Sequence, residues 1–310
     1  MTGPMQPAPQ DGCAPAEPVR DVPLRVAIVG GGPAGLMAAE RIARAPPSAV
    51  RVDLYDAMPS VGRKFLLAGK GGLNITHAEP FEQFCTRYSA AQDRVRPLLE
   101  AFGPEALRAW VHALGVSTFV GTSGRVFPDE MKAAPLLRAW LHRLRSAGVG
   151  FHMRHRWTGW NAEGLPTFET PAGPVAVHAD ALVLALGGGS WPRLGSDGAW
   201  VQPLAARGVP VAPLRPANCG FDVGWSTHFA ERFAGHPLKA VVLSFTDGEG
   251  CTQRRQGECV VTATGVEGSL VYAFSAALRD AIEATGSARI ELDLAPGRSV
   301  DALRGALPRP

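Results

Sequence analysis

The chain has 310 residues, 46% of them hydrophobic, with a formal net charge of +3. This length and composition are sufficient for two domains with buried cores. The net charge is too small to indicate nucleic-acid binding, and no apolar run reaches the roughly eighteen residues needed to cross a bilayer. We therefore expect neither a nucleic-acid partner nor a membrane partner.

The N-terminal segment and the cysteines indicate the compartment. Residues 1–22 are rich in Pro, Ala and Gly and lack the apolar core of a signal peptide, which predicts a disordered tail. The five cysteines are scattered, without a C-x-x-C pair: Cys13, Cys85, Cys219, Cys251 and Cys259. This usage is typical of a reducing cytoplasm and predicts neither disulfides nor a metal site.

Hydrophobic periodicity predicts an α/β chain with two domains. The predicted elements are, in chain order, a strand at 24–29, a helix at 33–45, a strand at 50–55, a helical region at 93–114 broken at Gly103-Pro104, a hairpin around 121–124, a helix at 134–147, and a central parallel strand at 181–186. Past Gly208 the sequence changes to short β-like runs with one helix at 269–284. We therefore predict domains at 23–208 and 209–310.

The turn after the first strand carries glycines at G-x-G-x-x-G spacing: Gly30, Gly32 and Gly35. In a dinucleotide-binding fold the first makes a tight turn, the second lets the backbone approach a pyrophosphate, and the third allows close helix–strand packing. The phosphates then lie at the N-terminus of the helix, beside Pro33 and Ala34. A glycine turn with only a structural role is the alternative.

Two features after the second strand favour FAD as the dinucleotide. Asp56 lies where a carboxylate for ribose hydroxyls is expected. Residues 62–77 then form a second glycine-rich, cationic segment, where a nicotinamide domain normally continues into a helix. We predict a loop along the anionic cofactor, against the alternative of a solvated basic loop. The candidate cofactor ligands there are Arg63, Lys64, Gly71, Gly72 and Asn74.

A third glycine-rich turn follows the strand at 181–186. Gly187 and Gly188 are expected to bring backbone to the same cofactor. The alternative, a second nicotinamide fingerprint, is disfavoured because Pro192 occupies the third glycine position. The sequence therefore contains one nucleotide-binding domain.

Several of these segments together resemble the BaiN/aminoacetone oxidase-like family of bacterial NAD(P)/FAD-dependent oxidoreductases. The segments are 26–40, 62–77, 124–128 with Lys132-Ala133, 181–189 with 195–198, and 257–272. The resemblance implies a Rossmann-like FAD-binding domain with a β-rich insert domain. It further implies an FAD-dependent oxidoreductase that acts on a small organic substrate by hydride transfer at flavin N5, with NAD(P)H or oxygen as co-substrate.

The family resemblance also implies a segment that returns to the FAD domain after the insert and closes over the flavin. The sequence given ends at Pro310 without such a segment. We therefore expect that the sequence is a fragment, or that the flavin site of this protein lacks the closing segment. The alternative functions are an FAD-binding protein that modifies RNA and a non-catalytic flavoprotein.

No catalytic acid or base stands out in the sequence. His77 could lie near the flavin, although a loop histidine is more often a capping or solvated residue. His152 and His155 lie three apart in a strand-like stretch, which predicts opposite faces and no shared metal. Trp191, Trp200 and Trp225 could line an apolar pocket, with core packing as the alternative.

Overall fold

The computed structural model describes residues 22–68 and 72–306, which fold into two compact units that divide after Ala212. The elements of the first unit are β1 (Leu24–Val29), α1 (Pro33–Ile42), β2 (Val50–Asp56), α2 (Arg63–Ala68), β3 (Thr76–His77), α3 (Phe81–Thr86), α4 (Gln92–Ala101), α5 (Pro104–Ala113), β4 (Thr118–Val120), β5 (Arg125–Pro128), α6 (Ala133–Ser146), β6 (Gly150–Met153), β7 (Arg156–Trp160), β8 (Pro166–Thr170), β9 (Gly173–Ala176), β10 (Ala181–Leu184) and α7 (Val201–Ala205). Those of the second unit are β11 (Phe221–Asp222), α8 (Thr227–Phe233), β12 (Pro237–Thr246), β13 (Thr252–Val261), β14 (Gly265–Glu267), α9 (Ser269–Tyr272), α10 (Ser275–Thr285), β15 (Ile290–Asp293) and α11 (Val300–Ala306).

A four-stranded parallel sheet in the order β10-β1-β2-β6 forms the centre of the first unit. Its inner strand β1 buries Val26 to Val29, and α1 and α6 cover one face with Leu36, Leu137 and Trp140. On the other face Tyr55 packs with Trp157 and Phe168 of the antiparallel sheet β7-β8-β9. The predicted α/β class with a Rossmann-like sheet is confirmed.

The second unit is built on a five-stranded antiparallel sheet in the order β11-β14-β13-β12-β15. Its buried side chains, among them Leu243, Phe245 and Val266, pack against Phe274 and Leu278 of the helical segment. The one predicted helix at 269–284 is two helices, α9 and α10. No helix of the described residues in either unit is long and apolar enough to cross a bilayer.

Two further predictions about the first unit were wrong. The segment after Gly62 was expected to be a loop, but Arg63–Ala68 forms the helix α2. Its residues Arg, Lys, Phe, Leu, Leu and Ala are mostly good helix formers, and Gly62 at φ +68° supplies the turn that precedes it. The strand predicted as central, β10, pairs only with β1 among the described residues and therefore lies at the edge of the sheet.

A buried carboxylate connects α1 to α5 and α6. Glu40 is only 8% exposed, and its side chain accepts hydrogen bonds from the indole N–H of Trp140 at 2.6 Å and of Trp110 at 3.1 Å. The guanidinium of Arg143 donates a third bond at 3.1 Å. The three donors stabilise the ionised carboxylate in a site that would otherwise exclude it, so the packing of α1 depends on this network.

Candidate functional site

An open cleft lies at the carboxyl ends of β1, β2 and β10, the edge of an open α/β sheet where ligands bind. It brings together eight of the predicted cofactor residues, namely Gly30, Gly32, Pro33, Asp56, Arg63, Lys64, Gly187 and Gly188. These residues come from three separate turns of the chain. The three turns that were predicted to serve one cofactor thus lie around one cleft.

The three motif glycines have different surroundings. A Cβ added at Gly30, whose φ is +108°, would overlap the carbonyl oxygen of Ala185, and one at Gly35 would overlap the carbonyl oxygen of Gly30. A Cβ at Gly32 would meet no atom of the described residues within 4 Å. The protein itself therefore requires glycine at the first and third positions. At Gly32 the absence of a side chain leaves open space in the cleft, which fits the close approach of a ligand.

The N-terminus of α1 is open toward this space. Its N-cap is Gly32, which has extended backbone at φ −77° and ψ 179° and offers no capping side chain, and no acidic residue lies in its first turn. The first N–H groups of a helix have no partner within the helix, and the helix dipole places partial positive charge there. Ala34 and Gly35 belong to this turn, although their atoms do not line the cleft.

Asp56 is held in the cleft by backbone donors. The N–H of Gly31 donates to Oδ2 at 2.6 Å and that of Met58 to Oδ1 at 2.7 Å. Burial raises the pKa of the Asp56 carboxyl, and the two N–H bonds and the charge of Arg63 oppose this rise. Each oxygen keeps a further lone pair for a ligand hydroxyl. Gly31 was missed in the sequence because its role depends on this contact between two turns.

The remaining charged groups of the cleft are cationic. Arg63 and Lys64 are the other charged residues among the described lining, so the cleft carries one net positive charge. The Nε of Arg63 is buried and has no hydrogen-bond partner in the described part of the chain. Lys64 Nζ donates to Ser190 Oγ at 2.6 Å, across from α2 to the turn after β10. The positive charges of Arg63 and Lys64 favour an anionic ligand in the cleft.

Two of the predicted ligands, Gly72 and Asn74, do not line the cleft. Gly71 lies outside the described residues. Gly72, at φ +112°, packs beside Met131 and Phe127. Asn74 is exposed just before β3, and no hydrogen bond of its side chain is present within the described structure. The sequence spacing placed Gly72 and Asn74 with Arg63 and Lys64, but both lie beyond the end of α2 and do not line the cleft.

The histidines have structural contacts. His77 Nε2 bonds to the carbonyl of Ser123 at 3.0 Å, and its Nδ1 accepts from the N–H of Glu79 at 3.2 Å. The prediction that His152 and His155 point to opposite faces was wrong, because Arg154 at φ +58° turns the chain and brings the two rings within 5.7 Å. Among the described residues no group of three or more potential ligands is placed to hold a metal ion.

The three tryptophans considered for an apolar pocket belong to different units. Trp191 is 47% exposed, and Trp200 packs on the cluster around Trp157 and Phe168. Trp225 belongs to the second unit, where its indole N–H donates to the carbonyl of Gly265 at 3.1 Å. Two of the three thus serve core packing.

Residues 24–278 match the family model described as HI0933-like protein Rossmann domain. The chain belongs to this family. The family resemblance predicted from the sequence is thereby confirmed.

Two curated relatives and one solved structure are similar to this chain. The chain is 27% identical over 286 residues to the 3-dehydro-bile acid delta(4,6)-reductase of Clostridium scindens, covering 91% of this chain and 67% of that protein. It is 24% identical over 280 residues to the ribosomal RNA dihydrouridine synthase of Haemophilus influenzae, covering 88% and 65%. The chain therefore spans about two thirds of the length of these relatives. The 3-ketosteroid-delta4-(5alpha)-dehydrogenase of Rhodococcus jostii RHA1 matches at 16% identity and a TM-score of 0.44, over 62% of this chain and 55% of that one.

Proposed function

We propose that the chain binds FAD in this cleft and belongs to an FAD-dependent oxidoreductase that transfers hydride between flavin N5 and a small organic substrate. One observation carries the proposal: the uncapped N-terminus of α1, with open space at Gly32, lies at a cleft whose lining also includes the cationic residues Arg63 and Lys64. Hydrogen-bond donors and positive charge around an open glycine backbone fit a diphosphate.

Each residue of the cleft has a role in this proposal. The backbone from Gly32 to Gly35 receives the pyrophosphate, and Gly30 and Gly35 keep the turn and helix in place. Asp56 accepts hydrogen bonds from the ribose hydroxyls, while Arg63 and Lys64 balance the phosphate charge. The backbone of Gly187 and Gly188 borders the cofactor from the turn after β10. The flavin supplies the redox chemistry when bound, and the protein supplies orientation and electrostatics.

A small organic substrate is favoured over RNA by the charges of the second unit. Between residues 213 and 306 acidic residues outnumber basic ones, eleven to nine. Arg215 pairs with Glu283, and Arg279 pairs with Asp280 at 2.8 Å, which neutralises part of the positive charge. A nucleic-acid surface normally carries a basic patch. The relative named for a bile acid supports the same class of substrate.

The identity of the cofactor can be tested directly. Purified protein, incubated with FAD and desalted, should show the two visible bands of a bound flavin. The nucleotide extracted from it should be FAD rather than FMN or NAD. NADH or NADPH is then added under anaerobic conditions, and air is admitted afterwards. Bleaching of the flavin bands by the nucleotide and their recovery in air should identify the co-substrate. Protein that retains no flavin, or that binds NAD instead, would contradict the proposal.

The Asp56→Ala variant should bind FAD about 10- to 100-fold more weakly. A hydrogen bond to a charged group contributes about 1.5–3 kcal/mol, and the variant loses the acceptor for the ribose. Titration with FAD by calorimetry measures the change. Asp53→Asn is the matched control, because Asp53 lies on the same strand and bonds to His152 at 2.8 Å instead of lining the cleft. Unchanged affinity in Asp56→Ala would remove this residue from the site.

The pH dependence of FAD affinity gives a second test of Asp56. The ionised carboxylate is the better acceptor, and burial raises its pKa above the usual range of an aspartate. Affinity should therefore fall as the pH is lowered, and the fall should begin at a higher pH than an ordinary aspartate would cause. Asp56→Ala should lack this pH dependence.

A further inference from the structure

The second unit contains a cavity of about 510 Å³ that the proposed function does not use. Its walls come from β11, β14, α10 and β15, so it lies wholly within this unit. Six of the fifteen lining residues have large apolar side chains: Phe221, Val223, Val266, Leu278, Ile282 and Ile290. Small-molecule sites typically have volumes of roughly 300–1,000 Å³ and mostly apolar walls with a few polar groups.

The polar groups at the wall leave one negative charge without a counter-charge. Arg279 bonds to the carbonyl of Pro216 at 2.6 Å and to Asp280, and Glu283 pairs with Arg215. Asp222 also lines the cavity and is exposed, and its carboxylate has neither a hydrogen bond nor an ion pair with any described residue. Arg215 and the charged groups of α10 therefore compensate one another, whereas the carboxylate of Asp222 is free to pair with a ligand.

We propose that this cavity binds an apolar small molecule that carries one cationic group, such as an amphiphilic amine. The apolar body lies against Val266, Leu278 and Ile282, where burial of its surface provides most of the affinity. The cation pairs with Asp222 at the rim and sets the preference for the charge of the ligand. The site belongs to the second unit alone, so its existence does not depend on FAD binding in the first.

A cysteine in the wall allows the ligand to be located. Cys219 lines the cavity and is partly exposed, and its backbone is fixed through Ser275 Oγ at 3.2 Å. Cys85 and Cys259 are buried, and Cys251 is exposed in the turn between β12 and β13. In a chain carrying Cys13→Ser and Cys251→Ser, alkylation by N-ethylmaleimide should therefore report on Cys219.

The charge preference is tested by displacement of a neutral dye. N-phenyl-1-naphthylamine should bind the 310-residue chain with increased fluorescence, and dodecylamine and dodecanoate should displace it at pH 7 below their micelle concentrations. We expect dodecylamine to be about three- to fivefold more effective, the size of one exposed ion pair. Asp222→Asn should abolish this difference. Absence of dye binding, or equal displacement by both ligands in the unsubstituted chain, would show the proposal to be wrong.

The location of the bound dye is tested by two changes that each fill the cavity. Ile282→Trp should weaken dye binding at least tenfold, whereas Ala284→Trp, on the exposed side of the same helix, should not. Alkylation of Cys219 should likewise block the dye, and bound dye should slow the alkylation. If Ile282→Trp does not fold, as judged by circular dichroism, the Cys219 measurements decide alone. Dye that binds equally well after alkylation of Cys219 would place its site elsewhere and contradict the proposal.

Discussion

The Gly32→Val variant should lose FAD binding by at least about 100-fold while its fold remains intact. The backbone of Gly32 is extended, which a β-branched residue adopts readily, and no described atom lies within 4 Å of an added Cβ. The valine side chain would therefore fit the protein without ligand. It would occupy the space above the N-terminus of α1 that a pyrophosphate needs.

Calorimetric titration with FAD and thermal unfolding of the same samples measure both halves of this expectation. Gly224→Val is the matched control, because Gly224 also has open space at its Cβ position but lies in the second unit. Both variants should unfold near the temperature of the unsubstituted chain, and only Gly32→Val should fail to bind. Normal FAD affinity in Gly32→Val would overturn the placement of the pyrophosphate.

The neighbouring glycines should behave in the opposite way. Any side chain at Gly35 would overlap the carbonyl oxygen of Gly30, and a side chain at Gly30 would overlap that of Ala185. Gly30 also has φ at +108°, where L-residues are strained. Substitution at either position should reduce stability before any effect on binding can be measured. The motif therefore combines two glycines required by the fold with one that leaves space for a ligand.

The parts of the site that the sequence predicted depend on local backbone geometry. The turn at Gly30, the helix start at Pro33 and the end of β2 at Asp56 each follow from short-range patterns, and parallel strands bring their carboxyl ends to one edge. Contacts between turns could not be predicted in this way. The bond from Gly31 to Asp56 and that from Lys64 to Ser190 join residues 25 and 126 positions apart.

The wrong predictions have local causes of their own. A single positive φ at Arg154 reversed the expected alternation of His152 and His155, and no residue pattern signals such an angle at an arginine. The glycine content of 62–77 outweighed the helix propensity of Arg63–Ala68 in the prediction, although the glycines after Gly62 all follow that helix. The edge position of β10 depends on the order in which the strands pair. The apolar run of β10 does not reveal this order.

The Glu40→Ala variant should destabilise the first unit by about 3–5 kcal/mol, the cost of removing one partner from a buried charge network. The substitution leaves the indole N–H groups of Trp110 and Trp140 and the guanidinium of Arg143 without their shared acceptor. It also creates a void between α1, α5 and α6, where these rings meet edge to face at 4.7 Å.

Urea unfolding, monitored by tryptophan fluorescence, measures this loss of stability. If the two units unfold separately, the first transition is the one to compare. Glu40→Gln should have a smaller effect, because the amide keeps the size of the side chain and one acceptor oxygen. Glu100→Ala is the surface control, since its carboxylate is largely exposed and, among the described residues, pairs only with Arg96 at 3.5 Å, and such changes stay within about 0.5 kcal/mol. A Glu40→Ala variant no less stable than Glu100→Ala would show that the buried carboxylate does not hold α1 in place. If Glu40→Ala is destabilised as expected but still binds FAD at low urea concentration, the network acts on the stability of the unit and not on the cleft itself.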